Sequence, residues 1–258
     1  MNEAGTGLRV ERADGIGWLV LDRPERRNAI DRATRSALAD ATAALDADDE
    51  IRVVAITGAG TSFCAGTDLK EAPVAEPAHP LADPLPRITA PFERLTKPLI
   101  AVVNGPAAGG GLEIVLAADL RVASSNATFS LPEVRVGSLA GSGGTQRLFA
   151  AVPSSVAWKM LLTGRPIDAA EALRVGLVSD VVPPHELRAT AEGLARSIVE
   201  AAPLSVRAAK LAGRAALGGA SNGLELERAL WALLATTEDR AEGRAAFREG
   251  RPPRYRGR

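Results

Sequence analysis

A single cysteine, Cys64, stands in 258 residues, so no disulfide can form within the chain and a reduced, cytoplasmic setting is expected. Only two histidines accompany it, too few for a zinc site of the usual ligand count, and no metal is expected. Aromatic side chains are scarce at 3%, and 31 basic residues balance 31 acidic ones, which leaves neither stacking platforms nor an electrostatic footprint for nucleic acid. Long apolar runs are missing as well: the longest are strand-sized pieces such as LIAVV, against the ~20 residues a bilayer requires. MNEAGTGLRV, at the N-terminus, has no cationic segment leading into an apolar stretch, so no membrane partner is expected.

What is present is the composition of an ordinary globular protein, 46% hydrophobic and 24% charged. A chain of this length buries about 70 to 75% of its unfolded surface and can build a full core without staples. Of its cations 27 are arginine and four lysine, beside abundant alanine, a bias of genome composition rather than of chemistry.

Alternation in GIGWLVLD (Gly15 to Asp22) predicts a strand ending at the turn residues Arg23, Pro24 and Glu25. Asp31 opens an amphipathic helix whose apolar positions Leu38, Ala41 and Leu45 run to the acidic cluster from Asp46 to Glu50. Ile51 to Gly58 and Leu99 to Gly105 are apolar runs of buried-strand type. Strands separated by helical stretches and long loops predict an α/β protein with a largely parallel sheet. Ala72 to Pro98 carries seven prolines and is expected to form a variable surface flap. Past Pro183 only helical periodicity remains, over Glu186 to Glu200, Leu204 to Leu217 and Leu224 to Thr237. The expected division is therefore an α/β core over 1–185 and a helical region over 186–258.

Chemistry concentrates between Asn104 and Leu148. Gly109, Gly110 and Gly111 lead from a strand into the short apolar helix LEIVLAA, where bare backbone N–H groups and the helix dipole favour a developing negative charge. A plain, closely packed strand-to-helix turn would read the same way. Glu113 follows in the first turn among Leu112, Ile114 and Val115, and Glu133 comes twenty positions later in FSLPEVRVG. A carboxylate between apolar neighbours calls for a partner or a task, and two of them beside an anion trap suit proton transfer next to a stabilised oxyanion. A second glycine-flanked loop, Cys64 to Lys70, offers another backbone N–H, or alternatively a helix cap at Thr67 or Asp68. Cys64 lacks a histidine in any structured segment, since His79 lies in the flap and His185 beside Pro183 and Pro184. Ser142 stands in GSGG rather than in a nucleophile elbow, and no phosphate-binding glycine motif is present.

These segments together resemble the crotonase superfamily, the enoyl-CoA hydratases and isomerases. The likeness runs nearly end to end: LDRPERRNAID, ITGAGTSFCAGTDLKE, KPLIAVVNGPAAGGGLEIVLAADLRVAS, FSLPEVRVGSLAGSGGTQRL, LLTGRPIDAAEALRVGLVSDVV and the ending EDRAEGRAAFREGRPPRYRGR. The resemblance implies an α/β spiral of ββα units with a helical C-terminal trimerisation region, assembled as a homotrimer or as a homohexamer of two trimers. It implies an acyl-CoA thioester as substrate and no cofactor beyond the CoA that the substrate carries. Its oxyanion hole falls on the backbone N–H groups of Thr67 and Gly110, its catalytic carboxylates on Glu113 and Glu133, and its CoA-binding loop on Ala65, Asp68, Leu69 and Lys70, with Arg26 nearby.

Both glutamates are kept, which within the family implies enoyl-CoA hydratase activity: syn addition of water across the 2,3 double bond, or its reverse. A carnitinyl-CoA-type dehydratase keeps both as well, and a non-catalytic CoA-binding scaffold is the reading from outside enzymology. Thr67 stands where the family often has alanine, Glu25 where it is often basic, and Gly250 where a lysine commonly follows AFxE, which leaves CoA phosphate contacts to Arg248 or Arg251.

Overall fold

The computed structural model describes residues 6–71, 87–219 and 221–258. It opens on a hairpin, β1 (Leu8–Ala13) and β2 (Ile16–Leu21), joined by Asp14 and Gly15, both with positive φ. That two-residue Asp-Gly turn has the twist of paired antiparallel strands. Helix α1 (Arg32–Ala47) follows, its first turn capped by the Asp31 carboxylate accepting the Thr34 N–H at 2.8 Å. Strand β3 (Val53–Gly58) pairs parallel to β2, and α2 (Ala90–Arg94) leads to β4 (Leu99–Val103), parallel to β3.

The expected flap falls largely on 72–86, outside the described residues. Over 87–98 the chain is no loose flap: Ile88, Phe92, Leu95 and Lys97 are buried, because the segment packs α2 on the core between α1 and the next helix. Lys97 donates its ammonium to the carbonyls of Leu45 (2.7 Å) and Asp48 (2.6 Å), at the end of α1 where the helix dipole is negative.

From β4 the ββα order repeats. Strand β5 (Ala107–Ala108) precedes α3 (Gly110–Ala117); β6 (Leu120–Ser124) and β7 (Thr128–Ser130) precede a 3-10 turn at Glu133–Val136 and the helices α4 (Gly144–Ala151) and α5 (Ser154–Thr163). Strand β8 (Ile167–Asp168), α6 (Ala169–Arg174) and β9 (Asp180–Val182) complete the core. The larger sheet runs β1-β2-β3-β4-β6-β9 and is parallel beyond the first hairpin, while β5, β7 and β8 form a small second sheet. From β4 onward each turn places one strand in each sheet, and α3 follows directly on β5 of the smaller one.

Both faces of the large sheet are covered, so β2, β3 and β4 are almost entirely apolar, Thr57 being the exception. Leu19, Leu21, Val54, Ile56 and Val103 meet α1 and α3 on one side; Trp18, Val20, Ala55 and Val102 meet Leu187, Ala191 and Ala195 of α7 (Leu187–Val199) on the other. Helix α8 (Pro203–Leu217) is tied to the core by Lys210 (2.7 Å) and Arg214 (3.3 Å), both on Asp119. Helix α9 (Gly223–Leu234) buries no residue at all, and α10 (Glu238–Glu249), capped by the Thr237 hydroxyl, adds a helix beyond the last periodic segment within the expected helical region. Leu217, Leu224, Trp231, Leu233 and Phe247 on this region are all at least half exposed. Among the described residues no helix is long and apolar enough to cross a membrane.

Candidate active site

Asn28, buried and in the left-handed conformation, fixes the first wall of the site. Its carboxamide accepts the Arg23 N–H and donates to the carbonyls of Ala59 and Ser62, which clamps the loop after β3 onto the turn after β2. That loop then meets the α3 entrance. Cys64 accepts the Ala108 N–H at its carbonyl, and a side chain at Gly111 would collide with the same carbonyl. At Gly66 (φ 89°) a methyl group would lie 3.0 Å from the Gly110 nitrogen, and one at Gly110 would lie 3.7 Å from the Thr67 nitrogen. Glycine is required here for close approach.

The backbones of Thr67 and Gly110 are thereby brought side by side. Gly110 opens α3, so its N–H has no partner within the helix, and among the described residues neither it nor the Thr67 N–H has an acceptor. No helix begins at Thr67 or Asp68, so the capping alternative falls away.

Glu113 is buried on α3, and one of its oxygens accepts the N–H groups of Ser142 (2.6 Å) and Gly144 (2.9 Å). Glu133 comes from the 3-10 turn after β7. Its Oε1 lies where a methyl at Gly109 would be 3.1 Å away, and its Oε2 is buried without a partner. Burial pushes its carboxyl above the usual range, and the charge of Glu113 adds to the rise. Glu113, on the first turn of α3, and Glu133, beside Gly109, thus both stand at the α3 entrance.

Behind Glu113 stands a support that the sequence did not reveal. The Ser142 carbonyl accepts Arg147 Nη1 at 2.9 Å and lies 2.8 Å from the Thr89 hydroxyl, while the Ser142 Oγ accepts the Ile88 N–H at 3.1 Å. Arg147 and Arg87 both pair with Glu93, at 2.8 and 2.6 Å. Burial raises the Glu93 carboxyl, but donation from Arg147, Thr89 and Arg87 outweighs it and holds the group down at about 2. The only available signal was the glycine-flanked GSGGTQR segment leading into α4.

Of the residues expected to bind CoA, Ala65, Leu69 and Lys70 are exposed on one loop, and Asp68 turns that loop by accepting the Lys70 N–H. Asp68 also pairs with Arg23 (3.1 Å), a partner the sequence did not suggest. Arg26 is exposed on the neighbouring 3-10 turn, with its charge acting on Asp68. Cys64 is sealed in the core, where burial pushes its thiol up to about 12, while His185 is exposed and lies 3.4 Å from Glu186. His79 lies outside the described residues. Among them no cluster of His, Cys, Asp and Glu could hold a metal ion.

A mainly apolar cavity of about 300 Å³ opens beside Glu133, walled by Leu131, Val134, Leu139, Phe149 and Trp158. A larger one, about 810 Å³, lies between α10 and the C-terminal segment and contains none of these groups.

The family model for enoyl-CoA hydratase/isomerase matches residues 11–258. The chain belongs to this enoyl-CoA hydratase/isomerase family. It is 48% identical to an (E)-benzylidenesuccinyl-CoA hydratase from Thauera aromatica, over 97% of this chain and 99% of that one. It is 43% identical to a 2,3-dehydroadipyl-CoA hydratase from Escherichia coli K12, with the same shares covered. The crystal structure of an enoyl-CoA hydratase from Mycobacterium tuberculosis H37Rv superposes with a TM-score of 0.89 at 36% identity, covering 98% of this chain and all of that one. As a member of the crotonase superfamily, this hydratase/isomerase relative has the α/β fold with C-terminal helices that the sequence implied.

Proposed function

We propose that the protein is an enoyl-CoA hydratase that adds water syn across the 2,3 double bond of a 2-enoyl-CoA, or removes it. The observation that carries this reading is the pair of free N–H groups at Thr67 and Gly110, set beside two carboxylates in different surroundings. The thioester oxygen sits between the two N–H groups, where charge develops as the enolate forms. Glu113, aligned by Ser142 and Gly144, holds a water and takes its proton as the oxygen bonds to C3. Glu133, which burial favours in its protonated form, gives its proton to C2 from the same face. Reversal exchanges the roles step by step.

Ala65, Asp68, Leu69 and Lys70 carry the adenine and pantetheine end, with Arg26 beside the phosphates, and no cofactor is used beyond the substrate's own CoA. The apolar residues left exposed on α8, α9 and α10 serve assembly of 186–258 into a homotrimer or homohexamer, acting in the cytoplasm.

Loss of the enoyl absorbance on mixing with crotonyl-CoA tests the reading. Turnover is expected; a folded protein that binds crotonyl-CoA without consuming it would be a scaffold. Activity only on carnitinyl-CoA in an acyl panel would favour the dehydratase.

A further inference from the structure

We infer that the cavity beside Glu133 takes an aryl group carried on C3 of the acyl chain, and that Phe149 and Trp158 select it over alkyl chains. This rests on the hydration reading, because Glu133 is then the group that serves C2 and the C3 substituent lies one bond further on.

Position comes first. Glu133 is itself part of the cavity wall, so the space adjoins the group assigned to C2. Its other walls are mostly hydrocarbon, from Leu131, Val134, Leu139 and Leu162, joined by two rings and by the polar residues Thr145 and Gln146. Phe149 and Trp158 meet edge to face, with centroids 4.9 Å apart and planes at 71°. Such a pair offers a third ring both an edge and a face, worth about 0.5–1.5 kcal/mol per contact beyond area burial. Aromatics make up only 3% of the chain, yet two meet at this wall. Both rings remain partly exposed, 37% for Phe149 and 53% for Trp158, so neither is consumed in holding the core together.

Size agrees. Benzene fills an apolar cavity of roughly 150 Å³, and about 300 Å³ leaves room for a ring with the carbon that bears it. A ring conjugated to the double bond is also rigid, whereas an alkyl chain gives up rotor freedom on entry.

The test runs in the dehydration direction, where conjugation drives an aryl substrate forward. In 3-hydroxy-3-phenylpropanoyl-CoA the C2 proton passes to Glu133, the C3–O bond breaks, and the departing hydroxide leaves as water with a proton from Glu113, yielding cinnamoyl-CoA. kcat/KM is compared with that for 3-hydroxyhexanoyl-CoA and 3-hydroxybutanoyl-CoA, in the native protein and in Trp158→Ala and Phe149→Leu. The aryl substrate is expected to exceed the hexanoyl one about tenfold, and each substitution to cut the aryl value about tenfold more than the butanoyl value. Affinity for the unreactive 3-phenylpropanoyl-CoA against hexanoyl-CoA, read by tryptophan fluorescence, checks the ring preference without turnover. Equal treatment of aryl and alkyl groups, or uniform loss on all substrates, overturns the inference. So does a change in oligomer mass without a change in substrate ranking, which would make this face an interface between copies. Ring-selective binding with no turnover of any substrate would instead overturn the hydratase reading and leave the aryl cavity standing.

Discussion

Arg147 donates to the carbonyl of Ser142 at 2.9 Å, and the N–H of that same residue donates to Glu113. Glu113 is thus held by a loop whose far side is gripped by an arginine, and the arginine by Glu93. Arg147→Met should lower kcat about 10- to 100-fold with a smaller change in KM, since a misplacement near 1 Å costs that much. Arg147→Lys should recover part of it. Steady-state kinetics beside melting curves decide the matter: equal kcat in a folded Met variant would show the loop to be self-supporting.

Glu113→Gln and Glu133→Gln should each reduce turnover about 10²- to 10⁴-fold, the worth of a positioned acid or base. Because both act on one addition, the double variant should lose far less than the sum of the two free-energy costs. Hydration persisting within a few-fold in folded Glu133→Gln would falsify the assignment of that residue.

The orphaned oxygen of Glu133 also makes a statement about stability. Its carboxyl is raised in the fold from an ordinary 4.5, so the folded state holds a proton that the unfolded chain releases. The associated stability is full below about pH 4.5 and is lost as pH rises through the elevated value. Glu133→Gln should therefore melt higher than the native protein at pH 8, by about 2 °C, with the gap closing near pH 4. Parallel melting curves at all pH values would contradict the sign.

Gly66 and Gly110 are tested through their missing side chains. A methyl at Gly66 would press on the Gly110 nitrogen at 3.0 Å in a backbone conformation unfavourable to alanine. Gly66→Ala is expected to abolish most turnover, while Gly110→Val should block thioester binding outright. Unchanged affinity for acetyl-CoA in a folded Gly110→Val protein would remove the Gly110 N–H from the site.

Light scattering at micromolar concentration should give a trimer or a mass of about 160 kDa for a closed hexamer of the 26.8 kDa chain. Leu224→Glu with Leu233→Glu, on a helix that buries nothing within its own chain, should shift that mass downward.

Local signals sufficed where structure is local. Asp31 caps its helix, the glycines open α3, and the apolar runs become the strands that both sheet faces require. Strand β1 escaped because in LRVERA only Leu8 and Val10 alternate before the adjacent charges Glu11 and Arg12 break the pattern, and α10 because EDRAEGRAAFRE has almost no apolar stripe. The two glutamates were legible from their apolar neighbours. Their supports were not, since Ser142 and Gly144 reach Glu113 across 29 and 31 residues and Arg23 reaches Asp68 across two loops. Nothing in a spacing encodes such meetings.

The sealed thiol of Cys64 makes the molecule a blank slate for labelling. With no other cysteine in the chain and this one buried, with burial pushing its ionisation far up, maleimides and iodoacetamide should leave the native protein unmarked. A cysteine introduced at Trp158 would then be the sole reactive handle, and a dye attached there would report directly on what enters beside Glu133.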